Sequence, residues 1–319
     1  DALFERAAAM AESAGDPALI AEIAYLRGCA TNNQQRFRAA PAHLWHAHEL
    51  LQTQCPGESW LLTAARMMLG SSWTYAGNYQ EIKRHMGGWI EEARARDDRY
   101  AIAAIAGTGG GSLRFAMEER PELAQTEIEA AMEPWPKQPF GTSHYGAFST
   151  TYYVLGSEPG PRLLDYIDAH PELERAPLMR TPTLRFSYLA ARLRGLLLAL
   201  EPGHQGALLA RARADLRLLE KLPGRTPRVF TLAYAASIHQ ISGDGDSALR
   251  CLRESAALSE NIDHFCGVGV RYMLALLEGG DAGRQTRAEI RAQIEAEGWK
   301  SWQRGLAIRV PGNLALFAT

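Results

Sequence analysis

Residues 69–86, with the sequence LGSSWTYAGNYQEIKRHM, decide how this chain is predicted to fold. Gly70 is a small residue that lets one helix pack closely against another, and a tryptophan follows it after three residues. The Gly-Asn pair at 77–78 supplies residue types that tolerate the positive φ of a tight turn. Apolar residues then recur four apart at Ile82 and Met86, which is the spacing of one helix face. The stretch therefore predicts a helical hairpin with its turn at 77–78.

Similar small residues recur along the chain, each with a turn after it. They lie at Gly28, Gly70, Ser112, Ser149 and Ala236, with separations of 42, 42, 37 and 87 residues, the last being about two repeats. A period near 40 residues is typical of arrays of stacked helical hairpins. We therefore predict an all-α fold: a right-handed superhelical array (an α-solenoid) of seven to eight hairpins. We expect it to form a single domain over residues 1–319 with a groove along it.

The remaining sequence also favours helices. Ala, Leu, Arg and Glu dominate, and alternating runs of β-branched residues are nearly absent. Three pairs, Asp16-Pro17, Thr181-Pro182 and Thr226-Pro227, place a capping residue before a proline and predict helix starts.

Composition argues against several classes of protein. A net charge of −2 gives no broad positive field for nucleic acid, and apolar runs such as 196–200 are far too short to cross a membrane. Cysteines at 29, 55, 251 and 266 contain no C-x-x-C pair, which favours reduced thiols in a cytoplasmic protein. The chain begins with Asp and lacks a signal-peptide pattern, so we expect it to be a fragment of a longer protein.

The hairpin pattern resembles the tetratricopeptide repeat (TPR), most clearly in residues 69–79 and 243–256. More specifically, four places resemble the C-terminal regions of bacterial serine/threonine protein kinases: Tyr25-Leu26-Arg27-Gly28, residues 94–100, Trp135-Pro136 followed by His144-Tyr145, and residues 306–311. In those proteins a kinase domain and an AAA-type ATPase module precede the repeats. The resemblance implies a regulatory region of a signalling protein. Two residues depart from the pattern: Gln35 replaces a turn glycine, and Pro161 lies near the start of a second helix.

The glycine-rich stretch at 107–112 invites comparison with a phosphate-binding loop. The lysine of such loops is missing, and no β-branched strand precedes the glycines. Three glycines make a poor helix, since each costs about 1 kcal/mol. We therefore predict a kink or a frayed turn at Gly109–Gly111. Kinase and ATPase motifs are also missing from the chain, so we expect no catalysis in these residues and no bound cofactor.

A metal site is considered at His43-x-x-His46, where two imidazoles share a helix face. His48 lies to the side and Glu49 is the one local candidate for a third ligand. We interpret these histidines as surface residues and expect no metal. Asp97-Asp98 is interpreted as a helix cap.

Aromatic residues between 144 and 188 are the best candidates for binding a partner. First helices line the groove of such arrays, and Tyr and Arg contribute strongly to interfaces. The set comprises His144, Tyr145, Phe148, Tyr152, Tyr153, Arg185, Phe186 and Tyr188. Helical periodicity requires about half of them to face the core. We single out His144, Tyr145, Tyr152, Arg185 and Tyr188 as groove candidates.

Three functions remain open. The first is a non-catalytic protein–protein interaction scaffold that binds a protein or peptide, including domains of the same polypeptide. The second is a small-molecule sensor, as in bacterial activators of the maltose-operon type, which needs a closed pocket. The third is an all-helical enzyme with paired carboxylates in a cavity. It ranks last because the acidic residues in 127–129 and 289–297 have the spacing of surface residues.

Overall fold

The computed structural model describes residues 2–135, 151, 154–156, 161–200, 206–260, 262 and 264–317. In the first half of the chain the helices are α1 (Ala2–Ala14), α2 (Pro17–Asn33), α3 (Ala40–Gln54), α4 (Ser59–Ala76), α5 (Tyr79–Ala95), α6 (Arg99–Ala103), α7 (Leu113–Met117) and α8 (Pro121–Met132). The second half contains α9 (Arg162–Asp168), α10 (Glu172–Arg175), α11 (Pro182–Leu198), α12 (Ala207–Leu219), α13 (Arg225–Ile241), α14 (Gly245–Ser259), α15 (Cys266–Glu278), α16 (Gly280–Ala296) and α17 (Trp302–Ala307). Short 3-10 turns lie at Pro177–Arg180 and Leu314–Leu316.

The all-α prediction is confirmed, since the described residues contain helices and no strand. Helices that follow one another in sequence pack together, as α2 does on α3 and α13 on α14. Helices two apart also meet, as α2 and α4 do. The superhelical arrangement of these hairpins stays a prediction. None of the described helices is both long and apolar enough to cross a membrane.

The described residues divide into two compact units. Unit 1 takes in the chain up to Arg114 together with residues 122–135, and unit 2 takes in residues 115–121 together with the described residues from 151 onward. The core of unit 1 includes Ala21, Leu51 and Ala65, contributed by α2, α3 and α4. In unit 2, α11 packs on α12 and α13, and the 3-10 turn at 314–316 returns to α13. The prediction of one continuous domain stays a prediction.

Four turns lie where the spacing of the small residues predicts them. Seven residues after each of the small residues at 28, 70, 112 and 236, the backbone has a positive φ: 61° at Gln35, 82° at Gly77, 60° at Glu119 and 76° at Gly243. The next N–H then closes each turn by donating to a carbonyl five residues earlier. These bonds run from Arg36 to Thr31, from Asn78 to Trp73, from Arg120 to Phe115 and from Asp244 to His239, at 2.8–3.1 Å. This is the hydrogen bond of the Schellman helix end. Gln35 therefore adopts the glycine conformation despite its side chain, and Ser149 lies outside the described residues.

Close packing explains the small residues. A Cβ atom placed on Gly70 would lie well inside van der Waals contact with the carbonyl oxygen of Gly109 and 2.5 Å from Cε of Met86. A Cβ atom on Gly28 would lie 2.5 Å from Cγ of Leu44. Helices of unit 1 therefore approach each other at positions that have no room for a side chain.

The predicted kink at Gly109–Gly111 is confirmed. Helix α6 continues into a π-helical turn at Ala104–Thr108, Gly110 has a φ of 70°, and α7 restarts at residue 113. Gly109 and Gly111 donate their N–H groups to the carbonyls of Ala104 and Ile105, both at 2.9 Å. Because the chain uses these donors itself, the glycines do not form a phosphate cradle. Ser112 lies in this break, not inside a first helix.

The three predicted helix starts have different outcomes. Asp16 caps α2 by accepting from the N–H of Ala18 at 2.9 Å, as predicted. Thr181 occupies the cap position of α11 without a side-chain hydrogen bond. The prediction at Thr226-Pro227 is wrong by two residues, because α13 begins at Arg225 after Gly224, whose φ is 114°.

Candidate interaction surface

The groove candidates predicted from sequence fall into two groups. His144, Tyr145 and Tyr152 lie outside the described residues. Arg185 and Tyr188 lie on α11, where Arg185 is exposed and Tyr188 is 3% exposed. The expected division between surface and core is seen on this helix, because Phe186 packs edge-on against Phe230 with ring centroids 5.1 Å apart.

Tyr188 packs against the largely buried side chain of Arg192. The guanidinium of Arg192 lies over the Tyr188 ring, 5.4 Å from its centroid. Arg192 donates two hydrogen bonds of 2.7 Å to Asp215 and forms a 2.8 Å ion pair with Glu174. Burial acts to lower the pKa of Arg192, but the two carboxylates raise it above its usual value. A partner that binds this part of α11 would contact the exposed Arg185 directly. It would reach the buried Tyr188 only through Arg192.

Unit 1 carries a surface that the sequence did not single out. Among the described residues, the large apolar side chains that are exposed all lie in α1, α2 and α4: Leu3, Met10, Leu19, Leu26 and Trp60. Trp60 is 62% exposed, in the first turn of α4. Leu19 and Leu26 are 39% and 46% exposed on α2 and lie two helical turns apart. Scattered apolar residues need no explanation, but an exposed tryptophan in the same unit as two exposed leucines of one helix is a candidate interaction site.

An aromatic row is contributed by three helices: Trp60 by α4, Tyr100 by α6 and Tyr25 by α2. Burial is the main cause that raises the pKa of Tyr100, on which the neighbouring Trp60 side chain also acts. Burial likewise raises the pKa of Tyr25, and its neighbours Cys29, one turn further along α2, and Tyr100 raise it further. Both tyrosines are half-buried, whereas Trp60 is exposed.

We define the first-helix surface as this row together with the exposed face of α2. On α2, spacing of three and four residues places Glu22 between Leu19 and Leu26, and beside Tyr25. Helices α2 and α4 contain the predicted first-helix positions 28 and 70, and α6 leads towards position 112; the name of the surface refers to that prediction. Its members are Leu19, Glu22, Tyr25, Leu26, Cys29, Trp60 and Tyr100.

Of the three histidines at 43, 46 and 48, His48 belongs to the core, whereas His46 is exposed and His43 is half-buried. Five rings from α3, α4 and α5 form a packed group: Trp45, His48, Trp73, His85 and Trp89. The three tryptophan centroids are 6.0–6.4 Å apart, and the ring of His85 lies 5.0–5.5 Å from each. His48 is 3% exposed, and burial, with nearby Arg66 and His85, lowers its pKa to about 4. His48 is therefore buried, whereas His46 is exposed. No group of three His, Cys, Asp or Glu suited to a metal occurs among the described residues.

Two acidic residues depart from the predicted surface location. Glu127 is 7% exposed and accepts two hydrogen bonds of 2.7 Å from Arg114 and one of 2.7 Å from Ser112. Burial alone would raise its pKa, but these donors hold the pKa below its usual value. Glu297 is half-buried against Arg309, and burial raises its pKa. The predicted surface location was thus wrong for Glu127, which hydrogen bonds from Arg114 hold in the interior, and wrong in part for Glu297, which is half-buried beside Arg309.

The buried carboxylates act as structural partners of arginine. Glu127 and Asp215 each accept two hydrogen bonds from one guanidinium, so an arginine occupies each carboxylate. For Glu127 these bonds hold the pKa below its usual value, whereas general acid–base catalysis needs a carboxyl whose proton is exchanged near neutral pH. Glu127 therefore gives no support to a hydrolase site.

Comparisons with known protein families, with functionally characterised proteins and with solved structures gave no significant match, so the likeness to TPR and kinase C-terminal regions rests on the sequence motifs alone.

Proposed function

We propose that this chain is a non-catalytic interaction module that binds a protein or peptide partner at the first-helix surface. The observation that carries the proposal is the exposure of Trp60, together with Leu19 and Leu26, on consecutive first helices. Leaving such side chains in water forgoes the free energy of burying them. A bound partner would recover it.

The size of this effect is that of one strong contact in an interface. A tryptophan side chain buries about 200 Å² in a core or interface, and about 25 cal/mol is gained per Å² of apolar area. Covering the exposed part of Trp60 would therefore contribute on the order of 3 kcal/mol. Interface tryptophans with this contribution are typical energetic centres of protein complexes. The flanking leucines and the Tyr100 hydroxyl supply further apolar contact and hydrogen bonds.

We further propose that the module regulates a larger signalling protein of the kinase–ATPase type. This part rests on the sequence resemblance. A partner that binds one arrangement of the hairpins more tightly than another shifts their equilibrium by its difference in affinity. Attached domains would sense that shift. Arg185, and the predicted residues at 144, 145 and 152, stay candidates for a second contact region.

Site-specific photocrosslinking tests the proposal. A photoreactive benzoylphenylalanine would be placed at position 60, and in a control at position 91, where Glu91 of α5 is 67% exposed on a second helix. We expect a discrete protein adduct from position 60 in a lysate of the source cells, and none from position 91. Loss of the adduct on addition of an excess of uncrosslinkable chain shows that the contact is saturable.

Two results would contradict the proposal. One is equal crosslinking from positions 60 and 91, which indicates random collision. The other is a thermal shift with a sugar or nucleotide that persists in a Trp60→Ala variant, without any protein adduct. That outcome favours the small-molecule sensor.

A further inference from the structure

The rim of the first-helix surface carries unpaired negative charge. Asp16, Glu22 and Glu58 are exposed, and no ion pair involves Glu22 or Glu58 among the described residues. Asp16 lies at the start of α2, and Glu58 directly precedes α4. Both carboxylates act on the Cys55 thiol, whose pKa is raised mainly by burial and further by Asp16 and Glu58.

Each positive charge on the three helices has its own acidic neighbour. Helix α2 contains one basic residue, Arg27, which binds Glu5 at 2.6 Å. Helix α4 contains one, Arg66, which is 1% exposed and pairs with Glu92 at 2.9 Å. Helix α6 contains one, Arg99, which is 63% exposed and lies 3.9 Å from Asp97. None of these guanidinium groups pairs with Asp16, Glu22 or Glu58, so the surface has an apolar, aromatic centre with carboxylates at its border.

We propose that the first-helix surface binds a peptide segment in which basic and apolar side chains alternate. This inference rests on the proposed function and specifies the class of partner. Apolar residues of the peptide would cover Trp60, Leu19 and Leu26. Lysines or arginines would lie against Glu22, Glu58 and Asp16. Tyr100 would offer its hydroxyl to the peptide backbone.

Charge complementarity selects this partner over others. An acidic segment would place like charges beside Glu22 and Glu58, which costs affinity and slows association. A purely apolar segment would leave the carboxylates desolvated without a partner, which is also unfavourable. A basic and apolar segment satisfies both parts of the surface.

Peptide display on the full chain provides the test. A random 12-residue library would be selected on the wild-type chain, on Trp60→Ala and on the charge-reversed variant Glu22→Lys/Glu58→Lys. The matched control is Glu91→Lys/Glu129→Lys, which makes the same change in net charge at exposed positions on second helices of unit 1. Far-UV circular dichroism establishes that each variant is folded. Affinities of the recovered peptides are then measured by fluorescence anisotropy at low and high salt.

We expect wild-type chain and control to select peptides rich in Lys or Arg with Leu or aromatic residues. Their affinity should fall at least tenfold on Trp60→Ala and on the charge-reversed variant, and should weaken with salt. It should change less than about twofold on the control. The charge-reversed variant should instead select acidic residues.

The failures are distinguishable. Peptides that need Trp60 but are acidic or neutral, or that ignore the charge reversal, overturn the inference and leave the proposed function standing. Peptides that bind equally to Trp60→Ala overturn both, as does the absence of any enrichment. Concentration-dependent dimerisation that Trp60→Ala abolishes would show that a second copy covers the surface, and would also overturn the inference.

Discussion

Replacing Gly70 by alanine should destabilise the protein strongly, although alanine is the better helix former. The added Cβ would overlap the carbonyl oxygen of Gly109 and would lie 2.9 Å from its carbonyl carbon. Met86 can rotate its terminal methyl away, but the backbone of residue 109 cannot move without disturbing the π-helical turn. Overpacking of this kind costs about 3 kcal/mol, and the gain in helix propensity is about 1 kcal/mol. We expect a net loss of about 2 kcal/mol.

Gly88 provides a matched control in the next helix of the same unit. It is exposed in α5, and a Cβ atom there would meet nothing within 4 Å. Gly88→Ala should therefore stabilise the protein by about 1 kcal/mol through helix propensity alone. The two substitutions should change the free energy of unfolding in opposite directions, so the two variants should differ by about 3 kcal/mol.

Urea unfolding followed by far-UV circular dichroism measures this difference. The midpoints should move in opposite directions while the slopes remain equal. If Gly70→Ala were neutral, or as stabilising as Gly88→Ala, the hairpins would not make the close contact described, and the register built on the small residues would be wrong.

Three further predictions concern stability. Burial lowers the pKa of His48 to about 4 and that of His264 to about 3, so both are neutral in the native state. Their contribution to the free energy of unfolding is complete above pH 6.5. It is lost as the pH falls from 6.5 towards 4, by about 3 kcal/mol for each histidine. Urea midpoints at pH 7, 5.5 and 4 should fall steeply, and less so in His264→Phe; an unchanged slope in that variant contradicts the assignment. Glu127→Ala leaves the largely buried guanidinium of Arg114 without its main partner and should lower the free energy of unfolding by about 3 kcal/mol. An effect below 1 kcal/mol would show that water reaches the hydrogen bonds among Glu127, Arg114 and Ser112. Gln35→Gly removes a side chain from a residue with a φ of 61° and should raise the free energy of unfolding by about 1 kcal/mol, whereas destabilisation would mean that the side chain holds the turn.

Local chemistry explains what could be predicted from the sequence. A left-handed turn needs a residue that tolerates a positive φ, and a close helix contact needs a small residue. Both can therefore be recognised from the residue type at a single position. Gly70 and Gly77 show this directly, and the glycines at 109–111 predicted the break in the first helix. The spacing was informative enough to place a turn even at Gln35, where the residue type gave no indication.

Other features depend on contacts between residues far apart in sequence. Glu127 looks like a surface residue of α8, and its burial requires Arg114 and Ser112 to meet it from the preceding segment. His48 is buried because Trp89 of α5, far from it in sequence, packs on it together with Trp45 of its own helix. Trp60 lies in the first turn of its helix, where the periodic pattern is still too short to separate a surface side from a core side. Its exposure is a property of the packed helices.

Fluorine NMR of the chain labelled with 5-fluorotryptophan tests the central claim most directly. The chain has seven tryptophans, and a Trp60→Phe variant assigns one resonance by its loss. On titration with a peptide recovered by display, we expect the Trp60 resonance to shift and to lose its sensitivity to exchange between H2O and D2O, while the resonances of buried Trp73 and Trp89 stay in place. A Trp60 resonance that remains unchanged while the peptide binds, with another tryptophan shifting instead, would contradict the assignment of the binding surface.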